Sequence, residues 1–171
     1  AMARHYPEAE TVLDFFGGVV EAQARLIAGW LSVGFIHGVM NTDNTAISGE
    51  TIDYGPCAFL DIYHPQTVFS SIDAHGRYAY DNQATVIVWN MAQFATALVP
   101  LMPETEAAVE EFTALVHAMP DLIETEWHHA FGRKIGIAAP GPEDAALVAD
   151  LLTRMAAGRA DFTNTFRALL E

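Results

Sequence analysis

Residues 37–44 read His37-Gly38-Val39-Met40-Asn41-Thr42-Asp43-Asn44, and Asp53-Tyr54-Gly55 follows with its aspartate nine residues after Asn44. These two stretches decide how the chain is read. Asn44 offers an amide oxygen and Asp53 a carboxylate, and a tight turn between them would bring both to one ion. Mg²⁺ prefers such oxygen ligands, taking one or two from the protein and completing its octahedron with water and phosphate. A second carboxylate, Asp43, directly precedes Asn44. The competing reading has Asn44 capping a turn and Asp53 capping the segment that follows it. The joint pattern of His37, Asn44, Asp53 and Gly55 favours the metal pair.

The same spacing matches the catalytic loop of protein kinases, H-x-D-x-x-x-x-N followed by D-F-G. One position departs: the slot of the kinase catalytic aspartate holds Val39. The two metal-holding positions remain while the base has moved or been lost. Asp43 is the candidate general base, taking a proton from an attacking hydroxyl, and a neighbouring cation would keep it ionised. A second-layer carboxylate or a turn-forming aspartate is the alternative. His37 is expected to be structural, packing and hydrogen-bonding to hold the loop.

Working outward, Glu8 to Val33 reads as a helix, broken at Gly17-Gly18, with Val19, Ala22, Leu26, Ile27 and Trp30 on one face and Glu21-Arg25 as an i,i+4 pair. Thr45–Ser48 and Thr51–Tyr54 are short and β-branched and read as a small hairpin around Gly49-Glu50. Gly55 to Tyr80 is a long irregular stretch, a length that usually signals function or ordering by a partner. Gln83 to Leu98 is helical, with Val86, Trp89, Phe94, Ala97 and Leu98 expected inside and Asp81 or Asn82 as cap. A helix from Glu104 to Met119 is expected to end at Pro120, with another opened by Asp121 and Glu124. Pro142 suits the first turn of a helix from Glu143 to Ala157, and Asp161 caps a last one running to Leu170. The fold class is mainly α (α+β), a helical body with a small β-hairpin at the metal site, as in the C-terminal lobe of a kinase. Residues 1–171 are expected to form a single partial domain.

Composition narrows the function. Of 171 residues 51% are hydrophobic, enough for a packed core. The net charge of −14 opposes nucleic-acid binding through phosphates, and a bound nucleotide needs local Mg²⁺ or arginine against repulsion. The single cysteine, Cys57, fits a reducing compartment and is expected to be a buried inert thiol. No basic-then-apolar leader opens the chain, and no apolar run is expected to reach the ~18 residues of a membrane span. His128 and His129 are neighbours on a helix, pointing ~100° apart, and make a poor shared metal site.

Two longer strings, residues 33–44 and 51–56, carry a family resemblance, joined by Arg4-His5-Tyr6-Pro7-Glu8, Gly76-Arg77-Tyr78-Ala79, Asp81-Asn82-Gln83, Trp89-Asn90, Asp161-Phe162-Thr163 and Phe166-Arg167. Together they resemble the selenoprotein O (SelO) family. The resemblance implies a pseudokinase-like fold that acts as a protein adenylyltransferase, moving AMP from ATP onto Ser, Thr or Tyr hydroxyls of proteins (AMPylation). It implies Mg²⁺ or Mn²⁺ on Asn44 and Asp53, nucleotide contact at Asp53, and Asp43 as base. Loop-ordering roles fall to His37, Gly55 and Arg77, the last through a salt bridge or a phosphate contact. Family members are roughly three times this length, so an N-terminal lobe with its Gly-rich loop, Lys-Glu pair and phosphate-binding arginines is the expected partner of this piece. Alone, the piece is expected to be inactive. A bacterial cytoplasmic location is expected from the lack of a targeting segment, and the resemblance implies a mitochondrial one in a eukaryote. A kinase-like phosphotransferase and a non-catalytic scaffold that binds partners are the other readings.

Overall fold

The longest amphipathic run becomes helix α2, Val12–Val33. Thr11 opens it with a capping box: its hydroxyl accepts the Asp14 N–H at 3.0 Å and the Asp14 carboxylate accepts the Thr11 N–H at 2.9 Å. These bonds hold the Asp14 carboxyl below its ordinary value. The expected helix from Glu8, broken at Gly17-Gly18, is corrected on both counts. A separate short α1, Met2–His5, precedes it, and α2 runs unbroken through both glycines. Gly18 has a packing reason, because a Cβ there would come within 2.8 Å of the Tyr6 ring that closes over the helix. The buried face is wider than expected, taking in Phe15, Phe16, Val20, Gln23 and Leu31 besides Val19, Ile27 and Trp30. Gly34, in the left-handed region, ends the helix.

The computed structural model describes residues 1–169. Strand β1, Phe35–Ile36, pairs antiparallel with β2, Ala58–Phe59, in the register Phe35–Phe59 and Ile36–Ala58. The hairpin expected within residues 45–54 does not form. Those residues are held on α2 and the turn before it instead: Gln23 Nε2 donates to Ala46 O at 2.6 Å, the Tyr6 hydroxyl to Ile47 O at 2.5 Å, and Trp30 Nε1 to Thr51 Oγ1 at 2.9 Å. Gln23 and Tyr6 take backbone carbonyls that a hairpin would have used. The sheet therefore closes around the whole of residues 37–57 rather than lying within them.

Helix α3, Gln83–Leu98, is rotated from the expected face. Val86, Ile87, Met91, Ala95 and Leu98 are buried with Gln83 and Asn90, while Trp89 is exposed. Asn82 does precede the helix, but its side chain donates to Arg77 O at 2.6 Å and makes no cap bond. Gln83–Leu101 is long and apolar enough to cross a membrane by length and composition (19 residues, mean hydropathy 1.4), which corrects the expectation that no run reaches that measure. In this fold the segment packs between α2 and α4.

Helix α4, Thr105–Lys134, replaces two expected helices. Pro120 lies inside it, where a missing N–H and a ring clash cost about 3 kcal/mol. Packing along α2 and α3 outweighs that local cost, with Ala108, Phe112, Val116, Met119 and Ile123 buried on both sides of the proline. A single turn at Pro142–Asp144 leads into α5, Ala145–Gly158. Asp161 caps α6, Phe162–Ala168, through the Asn164 N–H at 2.7 Å. The expected end at Leu170 lies outside the described residues.

The irregular stretch after β2 is ordered from both ends. Tyr63 N–H donates to Ala160 O at 2.8 Å and Phe162 N–H to Asp61 O at 2.7 Å, stitching it to the start of α6. Lys134 reaches back from the end of α4 to Ser32 O and lies over the rings of Phe162 and Phe166. It thereby serves the C-terminal carbonyls of α2.

Candidate active-site loop

His37 is the hub of the loop. Its side chain is wholly buried and stacks on Trp30, with ring centroids 5.4 Å apart. The Val39 N–H points at Nδ1 (3.4 Å), which makes Nδ1 the acceptor; Nε2 then carries the hydrogen and donates to Ile52 O at 2.7 Å. His37 thus packs and hydrogen-bonds within the loop. One imidazole ties the start of the loop to the residue just before Asp53. Gly38 makes the turn possible: its φ is +82°, and a Cβ there would lie 2.8 Å from Pro56 O.

Two buried amides on α3 hold the loop from below. The Gln83 Oε1 accepts the His37 N–H at 3.0 Å, while its Nε2 donates to Phe35 O at 3.0 Å and Tyr80 O at 3.1 Å. One turn-pair further along, Asn90 Nδ2 donates to Met40 O at 3.0 Å and Thr45 Oγ1 at 2.9 Å, leaving its buried Oδ1 unpartnered among the described residues. Sequence reading gave neither amide a structural role. The signal was present: two amides seven residues apart on an otherwise apolar helical face.

Thr42–Asn44 forms a single 3-10 turn. Asn44 Nδ2 donates to Val39 O at 3.0 Å, which fixes the side chain and leaves Oδ1 without a protein hydrogen-bond donor among the described residues. Asp43 is exposed and in no ion pair among them. Asp53 is likewise exposed, and its backbone sits at φ +55°, a region that non-glycine residues seldom occupy. Such strain concentrates at functional positions. Gly55 N–H closes back onto Asp53 O at 2.9 Å, fixing the turn. Among the described residues the loop thus presents two unpaired carboxylates and one unpartnered amide oxygen. Among the described residues no three His, Cys, Asp or Glu side chains gather as a metal cluster. The donor set fits a hard oxygen-seeking ion that draws its remaining ligands from water and phosphate, and does not fit a closed zinc-type site.

The salt bridge expected as one route for Arg77 does not form among the described residues; its guanidinium lies over Trp89 at 4.9 Å and Tyr78 at 5.7 Å. Asp73 orders the segment instead, accepting the Arg77 and Tyr78 backbone N–H groups at 2.9 and 2.8 Å. His128 pairs with Glu124 at 3.7 Å on α4, away from any shared site with His129. Cys57 is half-buried.

Fold and loop together define a mainly helical domain with a buried-histidine turn that displays carboxylates and an amide to solvent. The chain belongs to the SelO family: the family described as protein adenylyltransferase SelO matches residues 1–171. It is 64% identical over 169 residues to the protein nucleotidyltransferase YdiU of Ruegeria pomeroyi, covering 99% of this chain and 36% of that protein. It is 63% identical to that of Roseobacter denitrificans over the same shares, and 54% identical over 168 residues to that of Jannaschia sp., covering 98% of this chain and 35% of the relative. The chain thus spans about a third of the length of the curated relatives it matches.

Proposed function

We propose that the protein containing this chain is an adenylyltransferase that moves AMP from ATP to a Ser, Thr or Tyr hydroxyl of a protein. Residues 37–55 would supply the metal-and-base half of its site. The observation that carries the reading is the His37–Ile52 hydrogen bond: it ties the loop of Asp43 and Asn44 to a strained Asp53, leaving both carboxylates free. This 171-residue piece corresponds to the C-lobe of a kinase-like domain, and the rest of the protein would supply the phosphate-binding half.

Asn44 Oδ1 and the Asp53 carboxylate would hold Mg²⁺ or Mn²⁺, with Asp53 adjoining the nucleotide; the bound ion would neutralise charge on the phosphates. Asp43 would accept the proton of the acceptor hydroxyl. The hydroxyl oxygen then bonds to the α-phosphorus, the α–β bridging P–O bond breaks, and pyrophosphate leaves with the electron pair. The geometric demand is that nucleotide and hydroxyl be held in line, which requires both halves of the site. The isolated piece is therefore expected to be inactive. A single thiol suits a reducing compartment such as the bacterial cytoplasm.

The test is labelling of proteins by the full-length enzyme with α-³²P-ATP beside γ-³²P-ATP. Transfer of α-label only, abolished by Asp43→Ala, Asn44→Ala and Asp53→Ala, supports the reading. Transfer of γ-label makes the protein a phosphotransferase. No transfer of either label, with no metal-dependent nucleotide binding, leaves a partner-binding scaffold.

A further inference from the structure

Arg77 is the only Lys or Arg between Arg25 and Arg133, so the chain that builds the loop and its supports carries one fixed cation in a protein of net charge −14. Its position is constrained from several sides. Asp73 holds its N–H, Asn82 Nδ2 donates to its carbonyl at 2.6 Å, and its guanidinium lies on Trp89, which is 46% exposed. Both ring partners lead to the loop. The Tyr78 hydroxyl donates to Asn41 Oδ1 at 2.6 Å, and Asn41 O accepts the Asn44 N–H at 3.0 Å. Asn90, the neighbour of Trp89, grips Met40 O and Thr45 Oγ1. Arg77 is thereby anchored to the turn that presents Asp43 and Asn44.

A guanidinium lying over an aromatic face keeps N–H donors for a planar, bidentate acceptor. No carboxylate of the described residues takes that place within ion-pair distance. An acidic incoming segment is repelled by most of this surface and attracted here, which would set its register. Exposed Phe69 and Ile72 on the same stretch give such a segment apolar contact. Nucleotide phosphate is the other anion with the chemistry to take this place, and the KM for ATP distinguishes it in the test below.

We propose that Arg77, held on Trp89, is a specificity-determining residue that binds an Asp or Glu carboxylate of the acceptor protein near the hydroxyl that receives AMP. The proposal rests on the adenylyltransferase reading, and it deepens that reading by naming a substrate class: hydroxyls with acidic neighbours.

The test uses full-length enzyme and two fluorescent serine peptides that differ only in flanking Glu or Gln. Transfer from α-³²P-ATP gives KM and kcat, and fluorescence anisotropy without ATP gives binding. The wild type is expected to favour the Glu peptide by roughly 3- to 10-fold, mainly in KM. Arg77→Gln should bring the ratio to about one with the KM for ATP within about twofold, Arg77→Lys should keep part of the preference, and the remote Arg154→Gln should keep all of it. Circular dichroism confirms folding of each variant. Absence of the preference in the wild type overturns the proposal, as does a ratio unchanged in Arg77→Gln. So does a raised KM for ATP with the ratio intact, which makes Arg77 a phosphate contact. Absence of transfer with an Arg77-dependent binding preference refutes the transferase reading while supporting the acidic-segment site; absence of both overturns the two together.

Discussion

Replacing Gln83 tests the loop's support most directly. Its amide is wholly buried and makes three hydrogen bonds, accepting from His37 N and donating to Phe35 O and Tyr80 O. Gln83→Leu keeps the bulk and removes all three. Each lost bond is worth about 0.5–1.5 kcal/mol, and the buried His37 N–H left without its acceptor adds a desolvation cost of about 1–3 kcal/mol. A total of about 2.5–7.5 kcal/mol follows. With a urea slope of about 2 kcal/mol per molar, the midpoint should fall by about 1–4 M. Gln83→Glu should cost at least as much, because a carboxylate can accept from His37 N but meets two carbonyls that need donors. Urea titration followed by circular dichroism gives the values, and Gln93→Leu, on the exposed side of the same helix, is the control. A loss below about 1 kcal/mol for Gln83→Leu, or a loss equal to the control's, refutes the claim that this amide holds the loop.

Gly38→Ala combines a left-handed φ with a Cβ 2.8 Å from Pro56 O. It should cost about 2–3 kcal/mol, read as a fall in Tm of roughly 6 °C by differential scanning fluorimetry. Lys134 gives a pH signature: burial pulls its ammonium below the ordinary 10.5, so above the lowered value and up to 10.5 the unfolded chain holds more protons than the folded one. Stability should therefore rise with pH across that window, a rise that urea midpoints should register in the wild type and miss in Lys134→Met. That variant should also lose about 1 kcal/mol at neutral pH, through the contact with Ser32 O and the two phenylalanine rings.

Part of the fold was legible in local chemistry. Asp161 caps α6 as its position before Phe162 suggests, whereas the Thr11–Asp14 capping box that starts α2 went unread and the helix was expected from Glu8. The helical class, the end of α2 at Val33 and both limits of α3 follow from periodicity and punctuation. The misreadings share one cause, a local preference overruled by distant contacts. Pro120 should end a helix, yet α4 continues because residues on both sides of it are buried against other helices. The β-branched segment around Thr45 and Thr51 should pair with itself, yet Tyr6, between α1 and α2, and Gln23 and Trp30 on α2 claim its backbone and one side chain. Trp89 should be core by composition, yet α3 turns Gln83 and Asn90 inward, where they satisfy backbone groups of the loop.

The sequence by itself determined the family and marked Asp43, Asn44 and Asp53 as candidates, since these rest on residue types at fixed spacing. Tertiary structure decided how those residues are held: His37 reaching Ile52 across fifteen residues, and Gln83 reaching His37 across forty-six. Spacing records which groups a segment carries. Which of them stay free for chemistry depends on where every buried donor and acceptor finds its partner, and those partners come from elements far away along the chain.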